Sequence, residues 1–198
     1  MDLEAILVLA GVAMSMTWTP GPNNAMLTAS GANFGWRRTM PHAMGVVFGV
    51  PIMLLLVAMG LGPVFEAAPW LAELLGWVGF AAILWFAWKI ATAGAASTKG
   101  PSRPLTFLQA CGFQWVNLKA WTFTIWVSAG YIDPDRLLWD TLIACVVFTL
   151  SGLGSSQVWT LFGVWIGRLL GQGARLRLFN IAMAALLIVS AIWLMLDG

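Results

Sequence analysis

Charged residues are scarce in this sequence. Only 9% of its 198 residues are Asp, Glu, Lys or Arg, whereas 60% are hydrophobic. A water-soluble domain carries about 25% charged residues, so this chain lacks the polar groups to cover a surface facing water. The composition indicates an all-α polytopic membrane protein. At roughly 20 apolar residues per span, its length allows about six transmembrane helices.

Histidine and cysteine are also scarce, with one histidine and two cysteines in the chain. Cys111 and Cys145 lie far apart in apolar runs, which suits neither a disulfide framework nor a paired redox motif. Metal sites need several converging His, Cys or carboxylate ligands. The sequence therefore predicts no metal, no cofactor and no enzymatic activity. The net charge of +2 and the short loops argue against nucleic acid as a partner.

The chain start lacks the basic residues of a signal peptide. Asp2 and Glu4 precede the apolar run instead, whereas a cleaved signal peptide begins with a positively charged region. We therefore expect the run from Leu3 onward to be retained as the first span.

Apolar segments separated by polar turns predict six spans in a single transporter domain, 1–198. We place the spans at about 3–33, 39–60 (stopping at Gly62-Pro63), 69–93, 105–130, 137–166 and 178–196. A polar connector at 94–104 separates two halves, about 1–95 and 104–198. Because each half has three spans, the second half enters the bilayer from the opposite side. That arrangement is typical of the inverted repeats of secondary transporters.

The loops alternate in charge along the chain. Basic residues occur at 37–38, 89–103 and 168–177, and acidic residues occur at the other span ends, at 2–4, 66, 133–135 and 197, where Arg136 is the one basic exception. By the positive-inside rule the basic loops are cytoplasmic. Six spans then place both termini outside the cytoplasm.

A proline-rich stretch interrupts the first predicted span. Pro20 and Pro22 remove backbone donors and crowd the preceding turn, and Gly21 adds no side chain. At bilayer depth, such a break is tolerated only where protein or a water-filled cavity satisfies it. We expect the helix to restart at Asn23 and Asn24, where free N–H groups and the helix dipole favour a substrate carboxylate.

We expect a second break in the fourth span, around Asn117 and Lys119, as the counterpart of the first. A lysine inside an apolar span costs about 2.5–3.5 kcal/mol on insertion scales, so it faces a cavity or a partner. It could contact substrate, or it could snorkel or pair with a freed carbonyl. Gln157 is the most central polar residue of the fifth span. The predicted substrate-binding residues are therefore Pro20, Gly21, Pro22, Asn23, Asn24, Asn117, Lys119 and Gln157.

These motifs resemble those of the lysine exporter (LysE type) family of amino-acid efflux transporters, which includes threonine and homoserine exporters. The resemblance rests on Pro20-Gly21-Pro22-Asn23 and on a second span containing Gly45 and Gly49. The family also carries Asn-Pro-Lys-Ala in its fourth span. Asn117-Leu118-Lys119-Ala120 matches three of those four positions, with Leu118 in place of proline. The resemblance implies amino-acid export across the bacterial cytoplasmic membrane, driven by the proton gradient.

Carboxylates are missing from the middle of every predicted span. Glu73 and Asp140 lie near span ends, and His42, at the cytoplasmic end of span two, is either a titratable group or a plain helix-end polar residue. This shortage favours neutral amino acids, such as threonine, homoserine or leucine, over basic ones. The expected partners are the amino acid, protons and the lipid bilayer.

Several interpretations remain open at this stage. The chain could export another small solute or a metal ion, or it could be a membrane-embedded redox or assembly protein. Two pairs of glycines have the spacing of close helix packing, Gly45 with Gly49 and Gly163 with Gly167. They predict either helix contacts within the chain or a homodimer interface.

Overall fold

The computed structural model describes residues 1–61, 67–93 and 103–197, and all regular structure in these ranges is helical. Its α-helices are α1 (Leu3–Trp18), α2 (Pro22–Phe34), α3 (Trp36–Leu56), α4 (Pro69–Thr92), α5 (Phe107–Gln114), α6 (Leu118–Tyr131), α7 (Leu137–Leu170) and α8 (Ala174–Asp197). Some predicted features lie outside the described residues, namely the stop at Gly62-Pro63, Glu66, Lys99 and most of the 94–104 connector.

Four helices are long and apolar enough to cross a membrane alone. They are α3 with its π-type extension Val57–Leu61, α4, α7 and α8. The pair α1 and α2, bent by 52° at the break between them, forms a fifth candidate. The predicted fourth span consists of α5 and α6, which have 8 and 14 residues. The chain is therefore a multi-pass membrane protein, and the count of six spans stays a prediction.

The first break lies where the prolines predict it. α1 ends at Trp18 and α2 begins at Pro22, one residue earlier than the expected restart at Asn23. Pro22 occupies the first helical position, where a backbone N–H would have no partner within the helix in any case. The proline therefore begins α2 rather than preceding it.

The second break occurs although Leu118 replaces the proline of the related motif. Three residues separate α5 from α6. The freed carbonyl of Trp115 accepts a hydrogen bond of 2.8 Å from the indole of Trp121. The carbonyl of Val116 lies so close to Gly79 of α4 that a Cβ there would overlap it. Contacts with other parts of the fold, not a proline, thus accommodate this break.

The long helix α7 packs against α1, α2 and α3. Gly163 of α7 lies directly against the carbonyl of Thr28 in α2, and Gly167 contacts the same helix one turn further on. The other predicted pair, Gly45 and Gly49 of α3, packs against α5. Both glycine pairs therefore serve helix contacts within the chain.

Basic side chains gather at one end of the helix bundle. Arg37, Arg38 and Arg168 line one surface depression there. Lys89 and Arg103 line a neighbouring cavity that shares wall residues with that depression. We call this the basic end of the bundle, and it agrees with the charge alternation seen in the sequence.

The opposite end is organised around Asp140, a buried residue at the start of α7. The ammonium group of Met1 lies 2.5 Å from its Oδ1, and Arg136 lies 3.9 Å from the same atom. The backbone N–H of Asp133 donates to Oδ2 at 3.3 Å. Asp140 therefore ties the start of α1 to α7.

We expect Gly163→Ala to lower the melting temperature of the detergent-purified protein. The added Cβ would overlap the Thr28 carbonyl, and overpacking of this kind typically costs about 1–3 kcal/mol. Gly11→Ala on α1 is the control, because its Cβ would meet nothing within 4 Å. Alanine favours a helix relative to glycine, so the control should keep or slightly raise the melting temperature. Equal melting temperatures for the two variants would contradict the close approach of α2 and α7.

Candidate functional site

The two helix breaks form walls of a single cavity, here called the central cavity. It lies between the end of α1, the starts of α2 and α6, and the middles of α3 and α7, and its volume is about 50 Å³. Six of the predicted substrate residues line it, namely Gly21, Pro22, Asn23, Asn24, Asn117 and Lys119. The breaks are nearly a hundred residues apart in sequence, so only the fold brings them together.

Two helix N-termini meet at the central cavity. α2 begins at Pro22 and α6 at Leu118, and neither start has a side-chain cap on its first backbone N–H groups. The dipole of a helix places about half a positive charge at its N-terminus. Free N–H groups and that charge together favour an anion. The cavity is therefore suited to a carboxylate.

Lys119 connects the two breaks. Its Nζ donates a hydrogen bond of 2.8 Å to Oγ1 of Thr19, on the first break. The same amine lies over Gly21, where an added Cβ would be 3.3 Å from Nζ. Lys119 thus contacts a hydroxyl group and adds a full positive charge beside the two helix N-termini.

Three amide side chains join the two halves of the chain beside the cavity. Asn23 and Gln114 exchange hydrogen bonds in both directions, at 2.9 and 3.2 Å. Asn117 also donates to Gln114, at 3.4 Å. Its Oδ1 is buried and has no hydrogen-bond partner within the described part of the chain. This oxygen is therefore available to a donor in the cavity.

The carbonyl groups freed at the first break are satisfied by side chains. The amide of Asn24 donates to the carbonyls of both Thr17 and Thr19, at 2.8 Å each. The hydroxyl of Ser155 on α7 also donates to the Thr17 carbonyl, at 2.5 Å. Asn24 and Ser155 thus stabilise the break and hold α7 against it.

The remaining wall of the central cavity is largely apolar. Its hydrophobic residues come from α1, α2, α3 and α7, and they are Met16, Leu27, Val46, Val47, Val50 and Phe148. No Asp or Glu is present among the described residues that line it. The cavity therefore has one positively charged side and one uncharged side.

Two predicted residues do not line the central cavity. Pro20 is exposed at the break. Gln157 accepts a hydrogen bond of 2.7 Å from the indole of Trp36 and contacts the sulfur of Met40. We therefore leave Pro20 and Gln157 out of the candidate site.

Sequence reasoning missed five polar residues at or beside the cavity, Thr17, Thr19, Gln114, Ser155 and Ser156. A signal existed for the two serines, which form a polar pair within an otherwise apolar helix. Gln114 lies three residues before Asn117 and shares its side of the break. The hydroxyl of Thr19 becomes meaningful only through its contact with Lys119.

The titratable and metal-ligating side chains lie apart from one another. Cys111 of α5 donates to the carbonyl of Gly45 and Cys145 of α7 to that of Pro51, and both are free thiols. No group of three His, Cys, Asp or Glu side chains converges in the ranges that the structure describes. The polar groups of the central cavity are thus amides, hydroxyls, backbone N–H groups and the amine of Lys119.

Known proteins resemble this chain over most of its length. Residues 14–198 match the family profile described as LysE type translocator. The cysteine/O-acetylserine efflux protein of Salmonella paratyphi A is 33% identical over 178 residues, which cover 88% of this chain and 89% of that protein. The protein of the same name from Escherichia coli K12 is 31% identical over 179 residues, with the same coverage of 88% and 89%. No solved structure matches the chain.

A double-mutant cycle tests the amide pair that joins the two breaks. We expect Asn23→Ala and Gln114→Ala each to lower the free energy of unfolding, because the first leaves the buried Gln114 amide, and the second the partly buried Asn23 amide, without its partner. Residues in one hydrogen-bond network couple by about 0.5–3 kcal/mol, so the double variant should lose less than the two single losses combined. A second cycle with Asn23→Ala and Asn33→Ala is the control. Its losses should be additive, because Asn33 pairs with Asn180 and not with Asn23. Additive losses in the first cycle would contradict the pairing.

Proposed function

The chain belongs to the LysE type translocator family, and on that premise we propose that it exports neutral amino acids from the bacterial cytoplasm. As a member of that family it is a membrane transporter and not an enzyme. The observation that carries the proposal is the meeting of two helix N-termini and Lys119 at one cavity. In the proposal, the proton gradient across the inner membrane drives export.

We propose a six-span topology in which α1–α2 and α5–α6 are the equivalent broken spans of two inverted halves. The remaining spans support this arrangement, because α3 packs against α7 and α4 packs against α8. A twofold axis in the membrane plane would exchange α3 with α7 and α4 with α8, so the two helices of each pair would face each other across the axis. The positive-inside rule then places the basic end in the cytoplasm and both termini outside.

The substrate binds as a zwitterion in this proposal. Its carboxylate accepts hydrogen bonds from the N-termini of α2 and α6 and lies near Lys119. Its ammonium group donates to Oδ1 of Asn117, the buried acceptor without a partner in the described chain. The side chain of the substrate then lies against the apolar wall that includes Val47 and Phe148.

The apolar wall favours an uncharged side chain. A lysine or arginine substrate would carry a positively charged side chain in addition to its ammonium group. The described lining of the cavity has no carboxylate to pair with that charge, and burying an unpaired charge is costly. The relatives are named for cysteine and O-acetylserine, which both have small uncharged side chains. We propose these two as the first substrates to test, with threonine, homoserine and leucine next.

Transport requires the walls of the central cavity to separate. A volume of about 50 Å³ holds a few water molecules, and small-molecule sites typically measure about 300–1,000 Å³. In this structure the cavity is therefore smaller than a bound amino acid requires. Movement of the half-helices at their breaks would open it to one side of the membrane and then to the other.

We expect proteoliposomes loaded with cysteine or O-acetylserine to release them several-fold faster when the external buffer is more acidic than the interior. Inward proton flow then accompanies outward movement of the amino acid. A panel that includes threonine, homoserine, leucine and lysine ranks the substrates by initial rate. An ionophore that collapses the gradient is the control for proton coupling. Release no faster than from protein-free liposomes, for every amino acid tested, would contradict export.

Lys119→Gln is expected to lower the initial rate of export at least about tenfold, because a charged hydrogen-bonding group contributes about 1.5–3 kcal/mol. Size-exclusion chromatography should show the folded protein, since glutamine retains a donor for Thr19. Arg175→Gln removes an equal charge outside the central cavity and should export at the wild-type rate. Wild-type export by Lys119→Gln would remove Lys119 from the site.

A further inference from the structure

A second, larger cavity opens between α2, α3, α4 and the segment that precedes α5. Its volume is about 400 Å³, which falls within the range of small-molecule sites. Lys89 and Arg103 line it, and it therefore belongs to the basic end of the bundle. We call it the basic cavity. Nothing in the proposed binding mode of the central cavity uses these residues.

The basic cavity lies in line with the central cavity along two helices. On α3, His42 lines the basic cavity, and Val46 and Val50 line the central one. These three residues are spaced by four and share one helix face. Four residues correspond to about 6 Å along the helix axis, so the two cavities are about one turn apart.

The same succession occurs on α2. Asn23 and Leu27 line the central cavity, and Ser30 and Phe34 line the basic cavity. Spacings of four, three and four residues place all of them on one face of the helix. Met26 lines the basic cavity and Leu27 the central one, and both are buried. A single turn of packed apolar side chains therefore separates the two spaces.

The charges of the basic cavity favour an anion. Lys89 and Arg103 each contribute a positive charge, and the described residues of its lining include no Asp or Glu. The amine of Lys89 lies 3.9 Å from the centre of the Trp85 ring, which holds it by a cation–π contact. Neither cation forms an ion pair with a carboxylate within the described part of the chain.

His42 provides a buried polar group without a partner in the same wall. It is 2% exposed, and its Nδ1 has no hydrogen-bond partner within the residues that the structure describes. The other polar side chains nearby are paired, Ser30 with Thr39 and Asn33 with Asn180. A buried polar atom left unpaired is costly, and a ligand in the basic cavity would supply a hydrogen-bond partner for Nδ1 of His42.

We propose that the basic cavity is a second substrate position, in which the amino acid binds by its carboxylate before it passes Met26 and Leu27 into the central cavity. This inference rests on the proposed export function and adds a waiting position on the cytoplasmic side of the path. Arg103 and Lys89 bind the carboxylate, and His42 binds a polar group of the substrate deeper in the wall. The shared chemistry is an anionic group between two cations, so the headgroup of an acidic lipid is the competing occupant.

Titration calorimetry on the full chain in phosphatidylcholine nanodiscs tests the number of sites, because both faces of the protein are accessible there. The probe is L-cysteine with a reductant, and L-cysteine methyl ester, which lacks the carboxylate, is the matched ligand. We expect two cysteine sites per chain in the wild type. Lys119→Gln should retain one site, and the double variant Lys89→Gln/Arg103→Gln should weaken the other at least tenfold. The ester should not bind at the basic cavity.

Arg175→Gln is the matched control, because Arg175 lies at the start of α8 and is not among the described residues lining the basic cavity. It should keep both sites at wild-type affinity. The substituted side chains of Lys89 and Arg103 are exposed, so these variants should fold normally. The proposal would be overturned if the wild type bound cysteine at a single site, and if Lys119→Gln abolished that site while Lys89→Gln/Arg103→Gln preserved it.

Export kinetics give an independent measure. In proteoliposomes loaded over a range of cysteine concentrations, Lys89→Gln/Arg103→Gln should raise the half-saturating concentration several-fold and leave the maximal rate within twofold. Lys119→Gln should instead lower the maximal rate. Loss of maximal rate alone in the double variant would overturn the waiting position. Normal export with a single binding site would remove only this inference, whereas absence of export would remove the proposed function.

Nanodiscs that contain phosphatidylglycerol distinguish the two sources of an anion. If the substrate is the occupant, cysteine binds the basic cavity in both lipids, with at most a modest loss of affinity in the acidic one. If the occupant is a lipid headgroup, phosphatidylglycerol should copurify with the wild type and not with Lys89→Gln/Arg103→Gln. Copurification of that kind without a second cysteine site would overturn the proposal.

Discussion

A backbone carbonyl without a donor is costly inside a lipid bilayer, and every helix break in this protein has to meet that constraint. The carbonyls of Thr17 and Thr19 receive the Asn24 amide, and Thr17 also receives a hydroxyl from α7. The carbonyl of Trp115 receives the indole of Trp121. The first break is therefore bonded partly to α7, whereas the donor at the second break comes from α6 of the same broken span. The arrangement of α7 against the first broken span follows from this requirement, because α7 supplies one of the donors.

The same breaks create the electrostatics of the central cavity. A continuous helix would consume its backbone N–H groups internally, whereas a restarted helix presents them at a new N-terminus together with its dipole. Here α2 and α6 both restart beside one cavity, and Lys119 reaches across to Thr19. Positive potential is thus concentrated at one point of an otherwise apolar bundle. An anion bound there would offset the cost of placing lysine among hydrophobic helices.

The two cavities use different parts of the same helices. α2 presents amides near its start and Ser30 near its end, and α3 presents valines in its middle and His42 nearer its start. Close packing of α2 against α7, through glycine, keeps α2 in place along its length. A substrate moving from the basic cavity to the central one would follow α2 and α3 over about one helical turn. The proposed path therefore depends on side chains that repeat on one helix face.

The sequence alone determined the approximate helix positions, the first break and the alternation of charged ends, because apolar run length, proline and arginine placement act locally along the chain. It also pointed to Asn23, Asn24, Asn117 and Lys119, since polar residues in apolar spans stand out by their insertion cost. Tertiary structure alone decided that Gln157 bonds to Trp36 and lies away from the cavity. It likewise decided that the second break forms without a proline, that Gln114 pairs across the breaks, and that His42 lies in a charged cavity. Such contacts join residues distant in sequence, and no local periodicity encodes which helix faces will meet.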